Sequence, residues 1–325
     1  MTKSVAVIGC GYWGKNIVRN FAEIGELAAI CEGNPVTAAT VSTTYNVPVL
    51  TFDEILNRND IRGVAIAAPA ATHYELARKT LLAGKDVFVE KPLSLDVKEG
   101  EDLCALATQK KAVLMVGHLL QYHVAYLKLK SMIENGDIGT LRYIYSNRLN
   151  LGKVRTEEDV LWSFAPHDIS MILGLVGDAP VDVTAQSFST LTPSIADTVT
   201  VHMNFKQNIA AHVHVSWINP FKEQKLVVIG DKAMAVFDDG LPLTQKLIIY
   251  PHSVDVSGAV PQVNKADGIA AQLDTSEPLR NECQHFVDCI HSRATPRTDG
   301  YEGLRVLDIL NRASQKMASA QKVAA

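Results

Sequence analysis

The feature that most constrains this chain is the string Gly9-Cys10-Gly11-Tyr12-Trp13-Gly14, set directly after the apolar run Val5–Ile8. An apolar strand that breaks into GxGxxG and resumes as a helix opens a βαβ dinucleotide-binding unit. Gly9 permits the tight turn, Gly11 lets the backbone approach a pyrophosphate, and Gly14 lets strand and helix pack closely. The helix N-terminus then faces the phosphates. Glu32 follows the next apolar run, Leu27–Cys31, about 20 residues beyond the glycines, where an acidic side chain binds a ribose 2′-hydroxyl. No arginine follows in Gly33-Asn34-Pro35 to receive a 2′-phosphate, so the expected cofactor is NAD rather than NADP.

The same texture continues downstream. Short apolar runs at 64–68, 87–89 and 113–116, rich in Val, Ile and Ala, read as further buried parallel strands. Helix signals lie between them. Asn34-Pro35 pairs an N-cap with a first-turn proline, Thr51-x-x-Glu54 and Thr72-x-x-Glu75 are capping boxes, and Gly84 stands where a C′ glycine ends a helix. After Gly117 the period changes. A helix over Val124–Glu134 gives way to alternating strands at 141–149, 199–205, 209–217, 226–229 and 233–237, turning at 206–208 and at Gly230-Asp231. In the first of these, Leu141, Tyr143 and Tyr145 alternate with Arg142, Ile144 and Ser146. Residues 253–274 read as a long loop, and helices over 279–291 and 301–320 follow it. The expected architecture is α/β. An N-terminal doubly wound Rossmann domain covers residues 1–120, and a C-terminal α+β domain with a mostly antiparallel open sheet covers 121–325, its terminal helix packing back on the first.

Composition narrows the function classes. At 325 residues two domains are expected, and 47% apolar with 20% charged residues is an ordinary globular balance. Thirty-one basic residues against 35 acidic ones give a net charge of −4, which argues against nucleic acid or anionic lipid as a general partner but not against one small anion. The five cysteines are scattered without a CxxC pair, so neither a disulfide framework nor a zinc cluster is read. No apolar stretch approaches the ~20 residues of a membrane span, and the run before Gly9 is short of a signal-peptide core. A cytoplasmic, reducing setting is the simplest reading. His202, His212 and His214 take the polar positions of alternating strands, which reads as solvent-facing or interface side chains rather than metal ligands.

Two segments leave strand ends on the ligand side of such a sheet: Pro69-Ala70-Ala71-Thr72-His73 and Glu90-Lys91-Pro92. Together with the glycine-rich loop, Ala83-Gly84-Lys85 and the C-terminal Glu277-Pro278-Leu279 and Asp299-Gly300-Tyr301-Glu302-Gly303, they resemble the Gfo/Idh/MocA family over essentially the whole chain. The resemblance implies that Lys91 sits at the nicotinamide and substrate, with Pro92 in cis, and that Gly9, Gly11, Tyr12, Trp13, Gly14, Glu32, Pro69, Thr72, His73, Glu90 and Lys91 hold the cofactor. The family's DxxxH site matches Ser163-Phe164-Ala165-Pro166-His167, with serine in place of the usual aspartate. That departure counts against simple inositol or glucose oxidation. The string from Asn150 through Lys153 and Arg155 to His167 is similar to the branch that oxidises C3 of UDP-N-acetylglucosamine or its 6-carboxylate, for a partner aminotransferase in lipid A or O-antigen sugar synthesis. By the same resemblance the substrate contacts are Tyr145, Asn150, Lys153, Arg155, Ser163 and His167, and the chain is a homodimer or homotetramer.

Oxidising a secondary alcohol needs a group to take the hydroxyl proton while hydride leaves carbon. His167, with an unperturbed pKa near ~6.5, suits that task at neutral pH. Lys91, near ~10.4, stabilises the developing alkoxide when charged and is itself a base when desolvated, so both assignments stay open. Asp168 reads as a helix-start acid. Arg155, with a guanidinium fork suited to a diphosphate or carboxylate, is the first choice for an anion contact, with Lys153 and Arg148 nearby in sequence. Two alternatives remain: a dehydrogenase of a free sugar or cyclitol, and a catalytically silent dinucleotide-binding regulator.

Overall fold

The computed structural model describes residues 3–324, with side chains through residue 319. The chain runs β1 (Val5–Ile8), α1 (Gly14–Ile24), β2 (Leu27–Cys31), α2 (Pro35–Tyr45), α3 (Phe52–Asn57), β3 (Gly63–Ile66), α4 (His73–Leu82), β4 (Asp86–Glu90), α5 (Val97–Lys110) and β5 (Leu114–Gly117). It continues α6 (Val124–Glu134), β6 (Leu141–Leu151), α7 (Val160–Val176), β7 (Asp182–Phe188), β8 (Thr198–Asn204), β9 (Ala210–Ser216), β10 (Ile218–Gly230), β11 (Met234–Asp238) and β12 (Leu247–Tyr250). Then come β13 (Ser253–Asp255), β14 (Gln262–Asn264), β15 (Ile269–Ala270), α8 (Pro278–Ser292) and α9 (Gly300–Ala324). Two compact units result: residues up to Tyr122 with Ser276–Asp308, and His123–Thr275 with the residues from Ile309 on.

In the first unit five strands pair in parallel in the order β2-β1-β3-β4-β5. Their apolar runs are buried on both faces, as a sheet covered by helices requires. Asn34 caps α2 by accepting from the amides of Val36 and Thr37, and Thr51 and Glu54 form the reciprocal box at α3. The box expected at Thr72 does not form. Thr72 has helical rather than extended backbone, and its Oγ1 donates to the Pro69 carbonyl at 2.8 Å, within a 3₁₀ turn over Ala70–Thr72. α8 belongs to this unit. Its Phe286 ring packs edge-on to Phe21 at 6.3 Å and against Phe88 at 5.8 Å. Gly63 makes room for that helix, since a Cβ there would lie 2.6 Å from Ile290 Cδ1.

The second unit holds an eight-stranded sheet, β15-β12-β11-β10-β6-β9-β8-β7, in which only the β6–β9 pairing is parallel. α7 covers one face against β6, β8 and β9. The stretch read as a long loop carries the β13–β14 hairpin and β15. Residues such as Val254 and Val263 are exposed there, so no buried alternation marked these strands. Strand β6 also departs from the expected parity. A register shift between Ile229 and Gly230, opposite Tyr143 and Leu141, lets Leu141, Ile144 and Ser146 all be buried.

Candidate active site

The glycine-rich loop follows β1 and is shaped for close backbone approach. Gly9 takes φ +84°, and a Cβ on it would stand 2.7 Å from the Ala67 carbonyl oxygen. A Cβ on Gly14 would fall 2.0 Å from the Gly9 oxygen, so the third glycine locks the helix against the loop. A Cβ on Gly11 would meet nothing within 4 Å. Its missing side chain therefore serves space beyond the protein, as a loop that admits a pyrophosphate requires. Helix α1 starts with no side-chain cap and no acidic residue in its first turn, leaving its positive end available to an anion. The donor set and the open cradle fit a dinucleotide.

Glu32 leaves the end of β2 and turns back on the loop. Its Oε2 accepts from the Cys10 amide at 2.6 Å and its Oε1 from the Asn34 amide at 2.8 Å. Each carboxylate oxygen retains a second lone pair for a ribose hydroxyl. Tyr12 is 89% exposed, and Lys15 lies over its ring. Trp13 reaches across to β4, where its Nε1 donates to Glu90 Oε1 at 2.6 Å. Glu90 Oε2 in turn accepts the Lys91 amide at 3.3 Å, and the Lys91–Pro92 peptide is cis. Burial pushes the Glu90 carboxyl above its ordinary range, against the pull of Trp13, Lys91 and His118.

His73 takes a different part from the one expected. It is 1% exposed, and its ring nitrogens face the Pro92 carbonyl at 2.7 Å and the Ala68 carbonyl at 2.9 Å. A neutral imidazole donates to one of these at a time. Burial holds the ring below its usual pKa. His73 thus ties the segments after β3 and β4 together, and the expectation that it binds cofactor directly gives way to a positioning role.

In the second unit, α7 starts earlier than the sequence suggested. Asp159 caps it by accepting the Trp162 amide, so Ser163 lies in the first turn and Asp168 mid-helix. Ser163 and His167 stand four residues apart on one helix face, Ser163 buried and His167 half-buried. Asp168 is not a helix-start acid. It is 1% exposed and accepts from Arg148 Nε at 2.6 Å, Arg148 Nη2 at 3.2 Å and Ser146 Oγ at 2.6 Å, which fastens α7 to β6. Arg148 is therefore committed to Asp168 and is removed from the candidate anion contacts.

Tyr145 is also corrected. It stacks on His212 at 5.3 Å, on the sheet face opposite the one where Ser146 meets α7, because neighbours in a strand point to opposite sides. His212 also meets the Tyr143 hydroxyl, and His214 Nδ1 lies 2.8 Å from Thr200 Oγ1. Among the described residues no group of three His, Cys, Asp or Glu side chains is placed to hold a metal. Before α7, Asn150 Oδ1 and Arg155 Nε are buried polar atoms without a hydrogen-bond partner, although Arg155 Nη1 pairs with Glu158 at 2.9 Å. Buried polar atoms are normally satisfied, so these two are exceptions in the segment leading to α7. Lys153 is exposed nearby in the chain.

Sequence reasoning gave no role to Gly117, whose lack of a side chain admits the Glu90 carboxyl, or to the buried acids Glu282 and Glu302. A glycine at the end of a buried strand was the only available signal. The sequence pattern described as "Oxidoreductase family, NAD-binding Rossmann fold" matches residues 3–118, and that of the GFO/IDH/MocA C-terminal domain matches residues 126–236. The chain belongs to the Gfo/Idh/MocA family. It is an oxidoreductase, and its cofactor is NAD. It is 28% identical to UDP-N-acetylglucosamine 3-dehydrogenase of Acidithiobacillus ferrooxidans over 93% of both chains. It is 23% identical to inositol 2-dehydrogenase of Rhizobium meliloti over 99% of both. The solved structure of the Acidithiobacillus ferrooxidans enzyme superposes with a TM-score of 0.85, at 26% identity and 97% coverage of each chain. No helix among the described residues is long and apolar enough to cross a membrane.

Proposed function

We propose that this oxidoreductase converts the C3 hydroxyl of a UDP-N-acetyl-hexosamine to the 3-keto sugar. The observation that carries the reading is the 28% identity to a UDP-N-acetylglucosamine 3-dehydrogenase along 93% of both chains. The unsatisfied Asn150 Oδ1 and Arg155 Nε support it, since a diphosphate would accept from Arg155 Nε and an amide N–H would donate to Asn150 Oδ1. Bound NAD supplies the hydride acceptor. Gly9, Gly11, Gly14 and Glu32 hold it, with Tyr12, Trp13, Pro69 and Thr72 beside them; Lys91 donates to the reacting oxygen, and His167 takes its proton. Lys153 and Ser163 complete the substrate contacts. The 3-keto product feeds an aminotransferase of lipid A or O-antigen sugar synthesis. The free cysteines suit a reducing cytoplasm, and the open face of the eight-stranded sheet suits a dimer or tetramer.

The inositol dehydrogenase relative favours a second reading, oxidation of a free cyclitol or sugar, against which Ser163 stands in place of an acid. Incubation with NAD and a panel of UDP-sugars, inositols and free sugars decides. NADH formation with a UDP-N-acetyl-hexosamine is expected; turnover of free polyols alone overturns the proposal.

A further inference from the structure

Glu282 is the most unusual side chain in the first unit. It projects from α8 into the core, is 0% exposed, and neither carboxyl oxygen has a hydrogen-bond partner. Among the described residues no hydrogen bond or ion pair answers its charge, and four groups interact with it electrostatically. They are Glu90 from β4, Glu302 from α9, Tyr122 from the turn after β5, and Cys283 on its own helix. Glu302 is itself occupied by His118 Nδ1 at 2.5 Å and Gln121 Nε2 at 3.0 Å. Glu90, by contrast, has the indole N–H of Trp13, the Lys91 amide and the Lys91 charge.

Two strongly coupled carboxyls resist ionising together, and the proton settles on the more buried one with fewer donors, here Glu282 rather than the half-buried Glu90. We propose that Glu282 is a positioning residue: it carries the proton of an acid pair with Glu90 and so leaves Glu90 as the anion that fastens the glycine-rich loop to the strand end bearing Lys91. Burial and the Glu90 and Glu302 charges push the Glu282 carboxyl well above its ordinary range, in agreement with this assignment. Once Glu282 ionises, two anions face each other. Glu90 is then displaced from Trp13, and the loop loosens.

The inference rests on the reading that this loop holds the dinucleotide, so the test measures NAD affinity rather than turnover. Binding of NAD to the full chain is followed by titration calorimetry between about pH 6 and about pH 9, on the alkaline side of the ordinary carboxyl range. Wild-type affinity is expected to fall by at least about tenfold across the alkaline half, the effect of one pKa unit of coupling. Glu282→Gln, a permanently neutral isostere, is expected to bind as tightly near neutrality and to lose that alkaline limb. It is also expected to melt higher than wild type by a margin that widens with pH. Parallel affinity profiles, weak binding by the variant at every pH, or failure of the isostere to fold would each overturn the proposal. Unchanged NAD binding in Gly11→Ala would instead refute the loop reading, and the two failures are distinct.

Discussion

Replacing Glu32 by serine separates the charge of this residue from its structural work. In the fold its carboxylate accepts the Cys10 and Asn34 amides at 2.6 and 2.8 Å, so the substitution weakens the loop for any dinucleotide. Each lost bond to a charged acceptor removes about 1.5–3 kcal/mol. That loss is common to NAD and NADP and cancels in their ratio. The ratio reports only the carboxylate's attraction for a ribose diol and its repulsion of a 2′-phosphate. A pair of unit charges at about 4 Å interacts by about 1 kcal/mol in water and about 4 kcal/mol near a protein surface. A phosphate of nearly two charges therefore loses at least about 2 kcal/mol of repulsion, or about 30-fold in relative affinity. Titration calorimetry with both cofactors at fixed ionic strength measures it, because the repulsion is screened by salt. The expected outcome is weaker NAD binding with the NAD-to-NADP preference reduced by about 30-fold or more. A change in preference below about threefold, equivalent to less than 1 kcal/mol, would refute the placement of Glu32 at the ribose.

Three further outcomes test the geometry. Gly11→Ala should fold with stability within about 0.5 kcal/mol of wild type yet lose NAD binding, whereas Gly14→Ala should lose both, because only the second Cβ collides with backbone; thermal melts with and without NAD distinguish them. Arg148→Ala strands the buried Asp168 and should cost about 3–5 kcal/mol in denaturant unfolding, while Arg148→Met with Asp168→Leu should recover most of it. Asp197 is buried, which raises its pKa, but the Leu191 and Thr190 amides and the Trp217 indole outweigh burial and lower it. A depressed acid stabilises the fold above its unfolded pKa and loses that contribution as pH falls through the folded value. Asp197→Asn should therefore lower the melting temperature at neutral pH and flatten its decline in acid.

The first unit was legible because its strands are fully apolar. Val5–Ile8 and Leu27–Cys31 coincide with β1 and β2, and the other three runs fall within two residues of β3, β4 and β5. Thr72 was misread because the same hydroxyl serves a helix cap or a preceding carbonyl, and only the backbone angle selects between them. Tyr145 was placed at the substrate by resemblance, whereas its neighbour Ser146 meets Asp168 of α7 and so leaves Tyr145 on the other sheet face. Arg148 looked like a free cation because its partner is 20 residues away on a helix.

What the sequence determined alone is the local grammar. A strand, GxGxxG and a helix make a nucleotide loop, an acid at the end of the next strand is the expected mark of an NAD site, and period-two alternation makes an antiparallel sheet. These follow from interactions spanning a few residues, where steric limits and capping act. Tertiary structure decided which charges are answered. Asp168 meets Arg148, His73 bridges two carbonyls, and Glu282 faces Glu90 with no donor of its own. Burial and long-range pairing set those states, because the energy of a charge depends on what the rest of the chain brings within a few ångströms of it.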